Sequence, residues 1–260
     1  YNPFDLLLLF RHRAFRPFWF ETGTPTFLIK LLAQRQQFVP DLERIVAPES
    51  LLSTFDVDII PTEALMFQAG YLTIQSARMI PGRMELVLRY PNQEVRASLH
   101  DSLLQELSGD RAIPGRQVGR LYDILVANDI PALRALITAF FDSIPNDWYR
   151  SNTIASYEGY YASVFYSYFA ALGLDITVED SSNKGRLDMA VRFQNRIYLF
   201  EFKVVELTPQ GQALAQLQAK NYAAKYMAEK QDIYLIGVEF SKEQRNIVSF
   251  EVEALKAAGV

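Results

Sequence analysis

YLFEFKVVE, Tyr198–Glu206, has the apolar density of a buried strand yet carries Glu201 and Lys203 at its centre. Side chains alternate along a strand. Tyr198, Phe200, Phe202 and Val204 therefore form one apolar face. Ile197, Leu199, Glu201, Lys203 and Val205 form the other, which starts apolar and then becomes charged. The preceding run, LDMAVRF (187–193), joins RIYLFEFKVV (196–205) through the short connection QN, which predicts a hairpin and brings Asp188 near Glu201. Two carboxylates that close repel unless one is protonated or a cation sits between them. A hard divalent ion, Mg²⁺ or Mn²⁺, resolves the conflict, because such ions take a couple of carboxylates with water and phosphate. Lys203 beside them would orient or help deprotonate an attacking water, or balance charge on a phosphate in the transition state. That combination is the chemistry of phosphodiester hydrolysis. Alone, E-x-K reads first as a surface ion pair contributing at most about 1 kcal/mol. Asp188 on a preceding strand, in the right order, brings the metal-site reading level with that one.

Outward from this strand the pattern is that of a small α/β domain. YEGYYASVFYSYFAALGL (157–174) predicts a helix ending at Gly173, DITVED a short strand and SSNKGR a turn. PQGQALAQLQAKNYAAKYMAEK (209–230) predicts one long helix, and DIYLIGVEF (232–240) a final buried strand. The order is α-β-β-β-α-β. Residues 102–143 read as helices broken at Asn128 and Pro131. TPTFLIKLLAQRQQF (24–38) predicts a helix with Thr24 as N-cap and Pro25 in its first turn. ALMFQAGYLTIQSA (64–77) and RMELVLRYPNQEV (83–95) read as β-type runs joined through Pro81 and Gly82. A helix followed by a hairpin outlines a winged-helix-like module.

Composition sets bounds on the chemistry. The 260 residues are 50% hydrophobic and 13% aromatic, enough for substantial cores, and the net charge of −4 argues against a general polyanion binder. A local basic groove remains compatible with that charge. There is no cysteine and only His12 and His100, which excludes disulfides, thiol nucleophiles and zinc sites built on Cys or on clustered His. The run DLLLLF is short and stops at RHRAFR, so no signal peptide is expected; YYASVFYSYFAALGL is too short for a membrane span. The expectation is a soluble, cytoplasmic protein without membrane partners. The chain begins at Tyr1 and not at Met, and it reads as a fragment of something longer.

GRLDMAV, YLFEFKVV, ALAQLQAKNYAAKY and IYLIGVEFS, in this order, resemble the PD-(D/E)XK nuclease superfamily. More narrowly they resemble the nuclease-like domain found behind an AAA-ATPase-like domain in bacterial proteins of unknown function. The likeness begins near ITAFFDSIPNDWYRSN and runs almost to the C-terminus. It implies a restriction-endonuclease-like fold over 146–260. It makes Asp188 the metal-binding aspartate, Glu201 the second acidic ligand, Lys203 the catalytic lysine and Glu158 the helical glutamate of the metal's outer shell. Glu158 reads equally as a helix-start carboxylate favoured by the macrodipole. The resemblance also points to Gln216 and Tyr222. Helical spacing offers a different pair, Gln218 with Tyr222, and a second ridge of Gln216 with Lys220; a solvated helix face is the plainer reading of either. Lys184 and Arg186 flank the turn before Asp188, where exposed basic residues usually have no specific role.

YNPFDLLLLF, FWFETGTPTFLIKLL, FQAGYLTI and LRYPNQEVRASL resemble the C-terminal portion of the ATPase-like region of the same fusion family. The expected organisation is a winged-helix-like region over 1–105, a helical connector over 106–145 and the nuclease-like domain over 146–260. No G-x-x-x-x-G-K-[ST] occurs, and GTPTF and PGRQVGR lack its spacing, so no nucleotide-binding residues and no ATP hydrolysis are expected. His12 in RHRAFR reads as part of a surface basic cluster, and FRPFWF (15–20) as core before a base-stacking platform. The functional expectation is a Mg²⁺- or Mn²⁺-dependent nuclease acting on DNA. RNA or a special DNA structure is a further option. The alternative is a catalytically silent nuclease-fold module that binds DNA or a protein partner. The modest basic content suggests that grip on the substrate comes partly from an ATPase domain outside this chain or from a second subunit.

Overall fold

In the computed structural model, which describes residues 3–13, 26–35, 39–52, 60–108, 112–144, 158–182 and 185–257, the chain opens with α1 (Pro3–His12) and α2 (Thr26–Gln34). β1 (Ile45–Pro48), α3 (Glu49–Leu52), α4 (Thr62–Gln68), β2 (Thr73–Ile80) and β3 (Arg83–Arg89) follow. The three strands form an antiparallel sheet of order β1-β3-β2. The helix expected over 24–38 is present, with its expected cap at Thr24 and Pro25 outside the described residues. The hairpin around Pro81 and Gly82 is present too, Gly82 taking the positive φ of +87° that the tight turn demands.

Two of the β-type runs are shorter than the sequence suggests. ALMFQ is helical: Pro61 and Glu63 start α4, and the Tyr71 and Leu72 amides close on the Met66 carbonyl around Gly70. The second run stops at Arg89, because the Asn92 side chain accepts the Val95 N–H at 2.8 Å and caps α5 (Gln93–Ser108). Helices predominate up to the hairpin, and the three-stranded sheet has a first strand, β1, that is not among the runs read from the sequence.

α5 is followed by α6 (Ala112–Ala127) and α7 (Ile130–Ser143). The break between α6 and α7 falls where Asn128 and Pro131 place it. Asn128 has φ +54°, and the Asn128 and Asp129 amides return to the Leu125 and Ile124 carbonyls in a Schellman-type end. Asp129 then caps α7 by accepting the Ala132 N–H at 3.0 Å, with a proline at the start of the helix.

The remaining described elements are α8 (Glu158–Ala171), β4 (Asp175–Ser182), β5 (Gly185–Phe193), β6 (Arg196–Val205), α9 (Gln212–Lys220), β7 (Asp232–Ser241) and β8 (Asn246–Leu255). They build a five-stranded sheet of order β4-β5-β6-β7-β8 in which only β6 and β7 run parallel, α9 lying in the crossover between them. The expected α-β-β-β-α-β order is thus present, extended by β8, which makes β7 an interior strand. The expected long helix over 209–230 ends early: Asn221 adopts φ +48°, and two 3₁₀ turns, Tyr222–Lys225 and Met227–Glu229, replace the rest.

α8 is buried nearly all round, which explains its apolar composition without a bilayer. Among the described residues no helix is long and apolar enough to cross a membrane. Its side chains join those of α2, α5, α6, α7 and the five-stranded sheet in one continuous core, and α5 runs through residue 105 within it. Polar contacts lock α5 to α8. Arg96 donates to the Leu174 carbonyl at 2.7 Å and lies 3.0 Å from Glu43, which also accepts the Tyr166 hydroxyl. His100 Nδ1 meets Ser167 Oγ at 3.2 Å. Burial, with a smaller contribution from the Arg96 charge, pushes the His100 pKa down to about 3, so its ring is neutral.

Candidate active site

β6 presents the two faces that its alternation requires. Tyr198, Phe200 and Phe202 pack toward α8, with Phe165 and Phe202 ring centres 5.0 Å apart and Phe169 and Phe200 5.5 Å apart. Ile197 and Leu199 pack on the opposite side with Leu217 of α9 and with Tyr222 and Tyr226. Glu201 and Lys203 continue that second face. Glu201 is only 1% exposed, so a carboxylate lies inside an otherwise apolar layer.

The β5–β6 ladder ends at Met189 opposite Phe200. One step further along the same register sets Asp188 across from Glu201, and cross-strand partners share a face. There Asp188 Oδ2 accepts the Phe202 N–H at 2.8 Å, which anchors the aspartate to the backbone of the strand that carries Glu201. Lys203 Nζ lies 3.4 Å from Glu201 Oε1 and donates to the Phe202 carbonyl at 2.9 Å. The Gln216 side-chain amide donates to that same Oε1 from α9. Burying a carboxylate is costly, and Lys203 and Gln216 supply the charge and the donor that offset it.

Tyr222 completes the group. Its pKa is raised by burial and then by the negative charges of Glu201 and Asp188, while a hydrogen bond with Gln216 and the charge of Lys203 act the other way. The fold therefore gathers Asp188, Glu201, Lys203, Gln216 and Tyr222 at one end of the sheet.

Other candidates lie elsewhere. Gln218 donates to Glu253 on β8 at 2.6 Å, turned toward a different strand. The helix face that Gln218 and Tyr222 would share does not form, because the left-handed Asn221 ends the helix between them. Lys220 is exposed. Glu158 is the first residue of α8, but its side chain, like that of Arg186, lies outside the described residues, as do Lys184 and FRPFWF. His12 is exposed at the end of α1.

The sequence reading lacks one buried carboxylate. Glu239 on β7 is 1% exposed, sits beside Lys203 in the parallel β6–β7 register, and accepts the Gln210 and Gln212 N–H groups at 2.6 Å each. Its signal is the one that marks Glu201: an acidic residue within an apolar strand.

Among the described residues no group of three or more His, Asp or Glu side chains is placed to hold a metal ion. The donor set still fits Mg²⁺ or Mn²⁺, since such ions ask for one or two carboxylates and complete their shell with water and substrate phosphate. Asp188 and Glu201 are oxygen donors on one face, with Glu201 held by a lysine and an amide.

An uncharacterized protein in the vnfD 5′ region of Azotobacter chroococcum mcd 1 is 61% identical to this chain over 255 residues, 98% of this chain and 49% of that relative. The chain thus spans about half the length of the curated relative it matches. No solved structure matches it. Residues 156–250, the segment that holds Asp188, Glu201, Lys203, Gln216 and Tyr222, match the family model of the PD-(D/E)XK nuclease superfamily.

Proposed function

We propose that this chain is a metal-dependent nuclease that hydrolyses phosphodiester bonds in DNA, with residues 146–260 carrying the chemistry. The observation that carries the reading is the placement of Asp188, Glu201 and Lys203 on one face, with Glu201 almost wholly buried. Asp188 and Glu201 would hold Mg²⁺ or Mn²⁺, with Glu158 in its outer shell. When bound, the cation supplies positive charge against the phosphodiester. Lys203 is the catalytic residue. Its ammonium, steadied by Glu201 and the Phe202 carbonyl, orients the attacking water and balances the negative charge that grows on the phosphate. Gln216 fixes the Glu201 carboxylate, and Tyr222 closes the apolar wall behind it.

The N-terminal region enters the proposal as a winged-helix-like module that helps to hold the substrate or a partner. The α-β-α-α-β-β order of α2 to β3 and the sheet order β1-β3-β2 support that reading. An ATPase domain outside this chain, or a second subunit, would supply further grip, in keeping with the net charge of −4.

The test is cleavage of linear, circular, single-stranded and branched DNA, with RNA for comparison, in Mg²⁺ and in Mn²⁺. The expected result is cleavage by the wild type that disappears in both Asp188→Ala and Lys203→Ala. Cleavage that persists in the variants rejects the site, and RNA cut in preference to every DNA rejects the substrate.

A further inference from the structure

We propose that Glu239, working with Gly237, is a positioning residue for this site: it pins α9 to β7 so that Gln216 holds the Glu201 carboxylate in place. The inference rests on the metal-site reading above and adds a residue that lies outside the D…E-x-K set.

The β7 positions involved lie next to the active-site strand. In the parallel register Gly237 sits beside Glu201, and Glu239 beside Lys203. At Gly237 the helix comes so near the sheet that a Cβ would fall 2.2 Å from the Leu214 backbone nitrogen. Only a residue without a side chain allows this approach, and the approach brings the first turns of α9 against β7, one strand away from Glu201.

Glu239 fixes the start of the same helix. The N-cap is Gly211, with φ +67°, and it has no side chain to satisfy the first helical amides. The Glu239 carboxylate takes that role from the neighbouring strand. One oxygen accepts Gln210 N–H and the other Gln212 N–H, both at 2.6 Å. A negative charge at a helix N-terminus is favoured by the unsatisfied amides and by the helix field. An ordinary Ser or Asp cap within the loop would start the helix equally well. A cap on β7 does more, because it also sets where the helix lies on the sheet. With both oxygens committed to backbone amides, Glu239 acts as an anchor and not as a third ligand.

Gln216 is one turn beyond Gln212, on the side of α9 that faces β6, where its amide reaches Glu201 Oε1. Leu217 and Ala213 bury the same side of the helix. The geometry is a chain of fixed contacts: Glu239 to the start of α9, α9 to Gln216, Gln216 to Glu201. Partners that orient a metal ligand in this way typically change metal affinity by about 10–100-fold when removed.

A double-mutant cycle on Mn²⁺ binding, read by titration calorimetry, tests this directly. The four proteins are wild type, Glu239→Gln, Gln216→Ala and the double variant. Gln at 239 keeps the size of the side chain but removes the charge and offers a donor where an acceptor is needed. The expected result is that each single change weakens Mn²⁺ binding by about 10-fold or more. The double variant then binds no more weakly than Gln216→Ala alone. Effects that multiply independently, or an unchanged affinity in Glu239→Gln, overturn the proposal. If Glu239→Gln does not fold, Glu239→Asp, which keeps the charge on a shorter stem, takes its place in the cycle with the same expectation of non-additivity. Hydrogen exchange over residues 206–221 gives a readout without metal. Faster exchange at the start of α9 in the Glu239 variant supports the anchor, and unchanged exchange refutes it. A wild type that binds no Mn²⁺ while the exchange result holds rejects the metal reading and leaves the anchor standing as a structural device.

Discussion

Gly237→Ala puts a side chain where the structure leaves no room for one. The added Cβ would meet three atoms of Leu214: its nitrogen at 2.2 Å, its Cα at 2.7 Å and its Cβ at 2.8 Å, where ordinary van der Waals contact begins at 3.4 Å. The nearest two are backbone atoms, so no rotamer change relieves the clash, and α9 or β7 must move by about 1 Å in a layer packed to native density. Overpacking of this kind costs about 1–3 kcal/mol, and occasionally more, and a backbone clash belongs at the upper end. In a protein of this size that corresponds to a fall in Tm of roughly 2–4 °C per kcal/mol. Urea unfolding should show a lower midpoint with an unchanged m-value. Gly119→Ala is the control: Gly119 lies exposed in α6 with nothing within 4 Å of its would-be Cβ, and alanine there should stabilise by up to about 1 kcal/mol through helix propensity. If Gly237→Ala is as stable as wild type, the close docking of α9 on β7 is wrong, and so is the route by which Gln216 reaches Glu201.

Two further predictions concern the core and the helix break. His100, whose ordinary pKa of 6.5 falls to about 3 on burial, binds a proton more readily in the unfolded chain. Its contribution is therefore fully present above pH 6.5 and is lost as the pH falls from 6.5 toward 3, by up to about 1.4 kcal/mol per pH unit. Urea titrations between pH 7 and pH 4 should show that slope in wild type and a shallower one in His100→Gln; parallel slopes would contradict the buried neutral ring. Asn128 donates to the Tyr234 hydroxyl at 2.7 Å and accepts the Tyr198 hydroxyl at 3.0 Å while holding a positive φ. Asn128→Gly loses the bonds alone, at about 1–3 kcal/mol, and Asn128→Ala adds about 1–2 kcal/mol of backbone strain. Chemical denaturation should rank them in that order, and equal losses would deny the strain.

Much of the sheet and three of the site's charged groups were legible because period-two alternation is a local property. Glu201 and Lys203 announce themselves by standing on one face of an apolar strand, and a short connection brings Asp188 back to them. The elements misread were those decided by tertiary packing. AKNYAAKY has the composition of a continuing helix, yet Tyr222 and Tyr226 are drawn into the apolar layer under the sheet, and a left-handed Asn221 makes the turn that lets them in. An apolar run as short as ALMFQ has no distinctive period, so Pro61 and Glu63 were the better guide to its helix. β8 has alternating residues in SFEVEAL but is mostly half-buried or exposed, so its apolar signal is weak. Glu239 stands out in its apolar strand as Glu201 does, but its partners do not, since they are the backbone amides of Gln210 and Gln212 far earlier in the chain. Helical spacing offered Gln216 with Lys220 and Gln218 with Tyr222 alike, and the family pattern alone singled out Gln216; Gln218 faces Glu253 instead.

The central claim is that Asp188 and Glu201 close on one divalent cation beside Lys203. The direct measurement is a crystal structure grown with Mn²⁺, with data collected for the anomalous signal of manganese. One strong anomalous peak is expected within coordinating distance of an oxygen of Asp188 and an oxygen of Glu201, absent from crystals of Asp188→Ala. A peak bound only by other residues, or none at these carboxylates when Mn²⁺ is in excess, would contradict it.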